Sequence, residues 1–333
     1  SAILLFGFAY LYGATGTLQV VDAGTAEPTI SDMIRGSGYA VPFGTYPVLI
    51  GAVMATAGFG FKLSIVPFQM WTPDVYEGAP TPVAGFLAVA SKAAAFAVVI
   101  RLFHEGLGEL GKDWSTLFAV LAGLTMTVGN LVAISQTNLK RLLGYSAIAH
   151  AGYVLVGLAS MAQGAEGQSA VTSGAGSALF YLAGYALTNL TAFGVLIIVI
   201  TRVGGEDLDD LSGMGRRIPF AAFVLSLALI SLIGIPPMVG FMGKLFVFNA
   251  AVDSGLVWLA LLGVINSVIS AYYYLNVLRI MYFREPRGDE PVSGPKVAET
   301  MAAIATGSGM VIFGIWPSVL IGISQDAARS LIG

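Results

Sequence analysis

Lys62, Lys92 and Lys244 stand inside apolar stretches that read AGFGFKLSIVP, LAVASKAAAFAVV and PPMVGFMGKLFVF. A lysine at the centre of a bilayer costs about 2.5 to 3.5 kcal/mol even on a lenient insertion scale, so chains avoid it unless the charge is used. None of the three stretches contains an aspartate or glutamate. The amines therefore find their acidic partners elsewhere or spend part of their time neutral. Desolvation disfavours an ammonium ion and a nearby carboxylate favours it, so moving an acid toward or away from such a lysine switches it between holding and releasing a proton. His150, in SAIAHAGY, is a second titratable type in an apolar setting. It reads either as a core histidine donating to a backbone carbonyl or as a proton carrier.

The whole chain supplies the membrane that these lysines require. Of its 333 residues 56% are hydrophobic and 11% charged, with a mean hydropathy of +0.82, far from the one-quarter charged of ordinary soluble domains. A net charge of −3 gives no reason to expect a nucleic-acid partner. The absence of cysteine excludes disulfides, iron–sulfur clusters and thiolate metal sites, and two histidines argue against a histidine-based metal site. No nucleotide fingerprint or haem-ligation pattern is present, so no cofactor is expected in this chain. No signal peptide is visible, and the chain opens inside an apolar run, which suggests a piece of a longer protein.

A helix needs about 20 residues to cross the hydrocarbon layer. Nine segments of the sequence fit, at 1–20, 46–71, 81–103, 117–134, 139–161, 176–200, 219–253, 257–283 and 301–323. The expected fold is all-α, a polytopic transmembrane helix bundle, because a helix satisfies its own backbone groups in lipid. Two segments cannot be straight. The seventh spans too many residues for one crossing and carries Ile235-Pro236-Pro237 at its middle, and the second carries Pro67 soon after Lys62. Proline removes a helical hydrogen bond and clashes with the preceding turn, and broken helices at membrane depth mark ion sites in transporters. Helical hydrogen bonding is expected to fail at 235–237 and between Lys62 and Trp71, with the freed carbonyls turned inward.

Basic residues are counted by side, since short cytoplasmic loops collect them. Nine of the 16 lie after even-numbered segments, among them Lys140, Arg141, Arg202, Arg216, Arg217 and Arg284, and four lie on the odd side. The first segment thus starts in the cytoplasm, and the acidic stretch around Asp22, Glu27 and Asp32 faces the other compartment.

The run FKLSIVPFQMWTPDVYEGAPTPVAGFLAVASKAAAF from Phe61, together with YGATGTL near Leu11, GNLVAISQTNLKRLLGYSAIAHAGY from Gly129 to Tyr153 and LIGIPPMVGFMGKLFVF from Leu232 to Phe248, resembles the antiporter-like N subunit of the proton-pumping NADH:quinone oxidoreductase, respiratory complex I. The resemblance spans most of the chain. It implies an antiporter-like fold of fourteen helices with two inverted five-helix repeats, each holding a discontinuous helix, of which this chain would supply helices six to fourteen. Residues 1–114 would then be the later part of the first repeat, 115–283 the second repeat, and 284–333 a loop and final helix. A glutamate that pairs in the family with the lysine matching Lys62 would lie upstream of this chain, so the groove beside Lys62 is expected to be uncovered. The resemblance further implies proton transfer by Lys62, Lys92, Lys244 and His150 in a multi-pass protein of the bacterial plasma membrane. Electron transfer would take place in other subunits, and the partners would be the other membrane subunits of complex I, including neighbouring antiporter-like ones. A subunit of a cation/proton antiporter is the alternative, and a structural spacer a further one.

On this reading the three amines line up near mid-depth, joined by polar side chains and water. Lys62 loads from the cytoplasm, Lys92 and His150 pass the proton along, and Lys244 releases it outside. Tyr145, Ser146, Ser91, Tyr185 and Thr188 are candidates for holding water or for interhelical hydrogen bonds. Asp74 and Glu77 read as groups that order the loop after the second segment, and Lys140 and Arg141 as markers of topology.

Overall fold

The computed structural model describes residues 2–21, 28–36, 46–161, 168–286 and 294–332. Asp22, Glu27 and Arg287 lie outside the described residues. The helices are α1 (Ala2–Thr15), α2 (Ile30–Gly36), α3 (Tyr46–Leu63), α4 (Trp71–Gly78), α5 (Thr81–Phe86), α6 (Lys92–Arg101), α7 (Gly111–Ala133), α8 (Leu139–Ala159), α9 (Gln168–Val203), α10 (Met214–Arg217), α11 (Pro219–Ile233), α12 (Val239–Asp253), α13 (Val257–Phe283), α14 (Val297–Ile315) and α15 (Ser318–Leu331). A π-helical turn at Leu87–Ser91 joins α5 to α6, and another follows at Leu102–Gly106. No strand occurs among the described residues.

Seven of the described spans are long and apolar enough to cross a membrane, not nine. The first expected segment stops early, at Gly16, whose φ of 74° puts it in the left-handed region that ends helices. The seventh divides into α11 and α12, two 15-residue halves on either side of the expected break. The ninth divides as well, because Pro317 follows Trp316 and disfavours helix in the residue before it, and α15 turns back to pack on α9. In the second segment α3 ends at Leu63 and α4 begins at Trp71, so Asp74 and Glu77 lie on a helix rather than in a loop.

α8 is the axis of the bundle. Nineteen of its 21 residues are buried, and it packs against α7, α4, α9 and α12. The α7–α8 contact is close enough that a Cβ at Gly129 would stand 2.7 Å from the backbone nitrogen of Ala149. Small residues let helix backbones approach in this way in membranes, where lipid gives no hydrophobic drive for association.

Ion pairs tie the loops together at the two ends of the bundle. Arg141 reaches both Asp74 and Glu77 at 2.7 Å, Lys140 reaches Glu206 at 3.0 Å, Arg202 reaches Glu299 at 3.0 Å and Arg284 reaches Asp209 at 2.5 Å. These are the loops to which the basic bias assigns the cytoplasm. At the other end Arg35 pairs with Glu109 at 2.7 Å.

α2, outside the spans, starts on a reciprocal cap. The Thr29 hydroxyl and backbone N–H both donate to the Asp32 carboxylate, at 2.7 and 3.1 Å, and the Asp32 N–H donates to the Thr29 hydroxyl. The Thr29 side-chain bond, more than any other interaction, holds the Asp32 carboxyl below its ordinary value. A lowered carboxyl pKa means that the cap is at full strength above about pH 4 and is lost as the pH falls through the lowered value. Amide exchange of 30–36 is therefore expected to accelerate on acidification, and Asp32→Asn to remove that dependence. An unchanged pH profile in Asp32→Asn would show that the cap does not hold α2.

Candidate proton-transfer site

Lys244 shows what the break between α11 and α12 supplies. α11 ends on Gly234, whose φ of 88° is open to glycine at little cost, and the Gly234 N–H folds back onto Ile230 and Ser231. The last carbonyls of a helix have no partner within it and carry the negative end of its dipole. Those of Leu232 and Ile233 accept from Lys244 Nζ at 3.1 and 2.8 Å. The break thus supplies the amine with oxygens in place of water. Tyr153 closes the other side, its ring centroid 4.6 Å from Nζ, a cation–π distance.

Lys92 follows the π-helical turn at Leu87–Ser91, the kind of irregularity found often at functional sites. Its Nζ donates to the Ala147 carbonyl of α8 at 2.5 Å. Lys92 and Lys244 are 3% and 5% exposed, and neither forms an ion pair among the described residues. Burial of an unpaired ammonium is tolerated only where it is hydrogen-bonded or can shed its proton.

His150 lies between them, about 17 Å along α8 from Leu139, near the middle of that helix. Its Nδ1 is 2.7 Å from the Tyr181 hydroxyl and its Nε2 3.4 Å from the Tyr274 hydroxyl. The Tyr274 hydroxyl also shares a short hydrogen bond with Ser146 Oγ, one residue before the carbonyl that binds Lys92. On the other side Tyr181 packs against Tyr153 at 6.0 Å between ring centroids, and Tyr153 lies under Lys244. The Tyr153 hydroxyl enters a buried cluster in which Asn130 and Ser267 approach it at 3.5 and 3.4 Å, Tyr273 donates to Asn130 at 2.9 Å, and Asn130 donates to Asn266 at 3.2 Å. Ser146, Tyr274, His150 and Tyr181 thus form a linked row of hydroxyl and imidazole groups between the carbonyl that holds Lys92 and the tyrosine ring that faces Lys244. The hydroxyls both donate and accept, as a proton relay requires.

Lys62 does not join it. Its side chain is exposed on the last turn of α3, as expected of an uncovered groove beside it. Ser146 and Thr188 hydrogen-bond within the bundle, Thr188 to Ser231 at 3.0 Å. The Tyr185 ring stacks near His150, whereas Tyr145 and Ser91 are only partly buried. Lys140 is more than a marker of topology: it is buried and its Nζ donates to the Ala79 carbonyl at 3.0 Å, tying the end of α4 to α8. Tyr153, Tyr181, Tyr274 and Asn130 were missed by the sequence reading. Tyr181, Tyr185 and Thr188 recur at the spacing of one helix face, so the polar stripe on α9 had a signal. Among the described residues no group of histidines and carboxylates could hold a metal ion.

Discontinuous helices, a buried amine on the open end of one of them and a hydroxyl-lined interior define a polytopic membrane protein of the antiporter-like class. Residues 1–270 match the family model described as NADH:quinone oxidoreductase/Mrp antiporter, transmembrane, and the chain belongs to that family. It is 46% identical over 335 residues to NADH-quinone oxidoreductase subunit N of Heliobacterium modesticaldum, covering 99% of this chain, and 44% identical to that of Desulforamulus reducens, covering all of it. The chain spans 65% of the length of these relatives. Among solved structures it is similar to a chain of respiratory complex I from Thermus thermophilus, with TM-score 0.74, 31% identity and coverage of 96% of this chain and 65% of that one. A chain of the Mrp complex from a Dietzia species shares the fold, with TM-score 0.83, 20% identity and coverage of 99% and 65%.

Proposed function

We propose that this chain is the proton-translocating part of a complex I membrane subunit of the N type, working in a bacterial plasma membrane. The observation that carries the reading is the pair of buried amines, Lys92 and Lys244, held by backbone carbonyls on either side of His150 with no carboxylate partner among the described residues. A carbonyl partner is adjustable in a way that a fixed ion pair is not. Small shifts of α11 against α12 change how many oxygens face Lys244, and so change how firmly it holds its proton. Between the amines, His150 takes a proton on one ring nitrogen and gives one up from the other, with Tyr274 and Tyr181 as its neighbours on the two sides.

On this reading the free energy comes from NADH:quinone electron transfer in other subunits, and the chain needs no cofactor of its own. Its partners are the other membrane subunits, including neighbouring antiporter-like ones. The two broken elements, α3–α4 and α11–α12, support two repeats, with 1–114 in the first and 115–283 in the second. Lys62, on the open face of α3, would be the point at which the remaining part of the protein contributes its charge partner.

The experiment is proton uptake by proteoliposomes holding the complete parent complex, driven by NADH, with and without sodium. Uptake that is blocked by Lys92→Ala and indifferent to sodium is expected. Uptake that requires a sodium gradient would favour the cation/proton antiporter instead.

A further inference from the structure

The two broken elements fold on one backbone pattern and differ at a buried hydroxyl. Ser64 and Gly234 both take φ in the left-handed region, 64° and 88°. The Ile65 N–H reaches back to the Gly60 carbonyl at 3.0 Å, as the Ile235 N–H does to Ile230 at 3.2 Å. Phe68 then donates to Ile65 at 2.6 Å, as Met238 does to Ile235 at 3.2 Å. In this register Phe61 stands where Ser231 does, and Met70 where Gly240 does. Such a break therefore forms without a hydroxyl at the place of Ser231, and a fully buried serine there has another use. Ser231 Oγ accepts from the Gly240 N–H at 3.2 Å and lies 3.0 Å from the Thr188 hydroxyl. Thr188 donates to the Gly184 carbonyl at 2.8 Å, so its single proton is committed and Ser231 is the donor of the pair. One hydroxyl thus joins the last turn of α11, the first turn of α12 and α9.

We infer that Ser231 is a positioning residue for Lys244: its hydroxyl pins α12 to α11 and so sets how the Leu232 and Ile233 carbonyls meet the amine. The first N–H groups of a helix have no partner within it, and Gly240, second in α12, finds one in Ser231. Lys244 stands one turn further along the same face of α12. On the other side of the pin, Leu232 and Ile233 follow Ser231 directly, and their carbonyls accept from Nζ at 3.1 and 2.8 Å. Pin and amine therefore close a small ring across the break. The approach requires glycine opposite the serine, since a Cβ at Gly240 would stand 1.9 Å from the Ser231 carbonyl oxygen. In the α3–α4 break the place of Lys244 is taken by Asp74, which pairs with Arg141, so that break has no buried amine to set. Ser231 exchanges no proton with Lys244 and stays neutral. Its role rests on the proton-carrying reading of Lys244.

The test uses the complete parent complex in proteoliposomes, with a pH-sensitive dye inside and NADH outside, and records uptake as a function of pH. Ser231→Ala leaves the Gly240 N–H without its acceptor. It is expected to slow uptake about tenfold, the scale of a small misplacement of reacting groups, and to displace the pH profile. Thr188→Val, which removes the group that Ser231 donates to, is expected to displace the profile the same way by less. The titratable groups around Lys244 are His150 and Tyr153 of α8 and Tyr181 of α9. None of them hydrogen-bonds Ser231, so the displacement reports the amine and its carbonyls. Ser226→Ala is the control: it removes a buried hydroxyl of the same helix, bonded to the Ala222 carbonyl and the Tyr282 hydroxyl, and is expected to leave the profile in place. A profile for Ser231→Ala that coincides with that of the unmodified complex, or one that Ser226→Ala moves equally, would overturn the pin. Should Ser231→Ala fail to assemble, a coinciding profile in Thr188→Val overturns it. With Lys244→Ala inactive, those results leave the proposed function standing; normal uptake in Lys244→Ala would overturn both.

Discussion

Lys244→Ala is expected to cut NADH-driven proton uptake by the complete complex at least a hundredfold, the scale on which a positioned proton-transfer group acts. The substitution removes the only titratable group at its station and leaves the Leu232 and Ile233 carbonyls facing an apolar gap. Lys92→Ala is expected to do nearly as much, since it empties the other end of the line through His150. Lysine-to-arginine separates charge from proton exchange. A guanidinium keeps its proton throughout the working pH range, so Lys244→Arg should also fail, although it can still donate to both carbonyls. Full activity in Lys244→Arg with loss in Lys244→Ala would mean that the site needs a fixed positive charge and no switch. Arg216→Ala and Arg217→Ala, at the end of α10, are expected to leave uptake close to normal. If they abolish it while Lys92→Ala and Lys244→Ala pump normally, the buried amines are not the proton route.

Gly129→Leu is expected to destabilise the subunit by about 1 to 3 kcal/mol or more, the usual cost of overpacking a filled interface. Even a Cβ at this position would stand 2.7 Å from Ala149 N, 3.0 Å from Ala149 Cα and 3.0 Å from the Tyr145 carbonyl. All three are backbone atoms of a nearly fully buried helix, so α7 and α8 must separate. α8 presents both His150 and the Ala147 carbonyl that binds Lys92, so the separation should damage function along with stability. Gly194→Ala, where an added Cβ meets nothing within 4 Å, is the matched control, and is expected to be neutral or to gain a few tenths of a kcal/mol from helix propensity. Equal thermal midpoints for Gly129→Leu and the unmodified subunit would show that the α7–α8 contact is loose enough to absorb a side chain.

Both expectations draw on features of different legibility. The two helix breaks could be read in the chain, because proline and glycine act on their own backbone within a turn, and α3–α4 and α11–α12 part where Pro67 and Gly234-Ile235-Pro236-Pro237 stand. Boundaries were less so. The end of α1 at Gly16 and the turn of α15 back onto α9 depend on packing that no hydropathy window contains.

What the sequence by itself determined is the membrane, the helices, the places where they break and the presence of amines that a bilayer penalises. Those properties are local, set by transfer free energy and backbone sterics over one or two turns. Which amines meet was decided only by tertiary structure. Lys92 and Lys244 are held on either side of His150 by the carbonyls of Ala147, Leu232 and Ile233. Every residue carries a carbonyl, so no residue type announces the one that will be left free and aimed at a lysine.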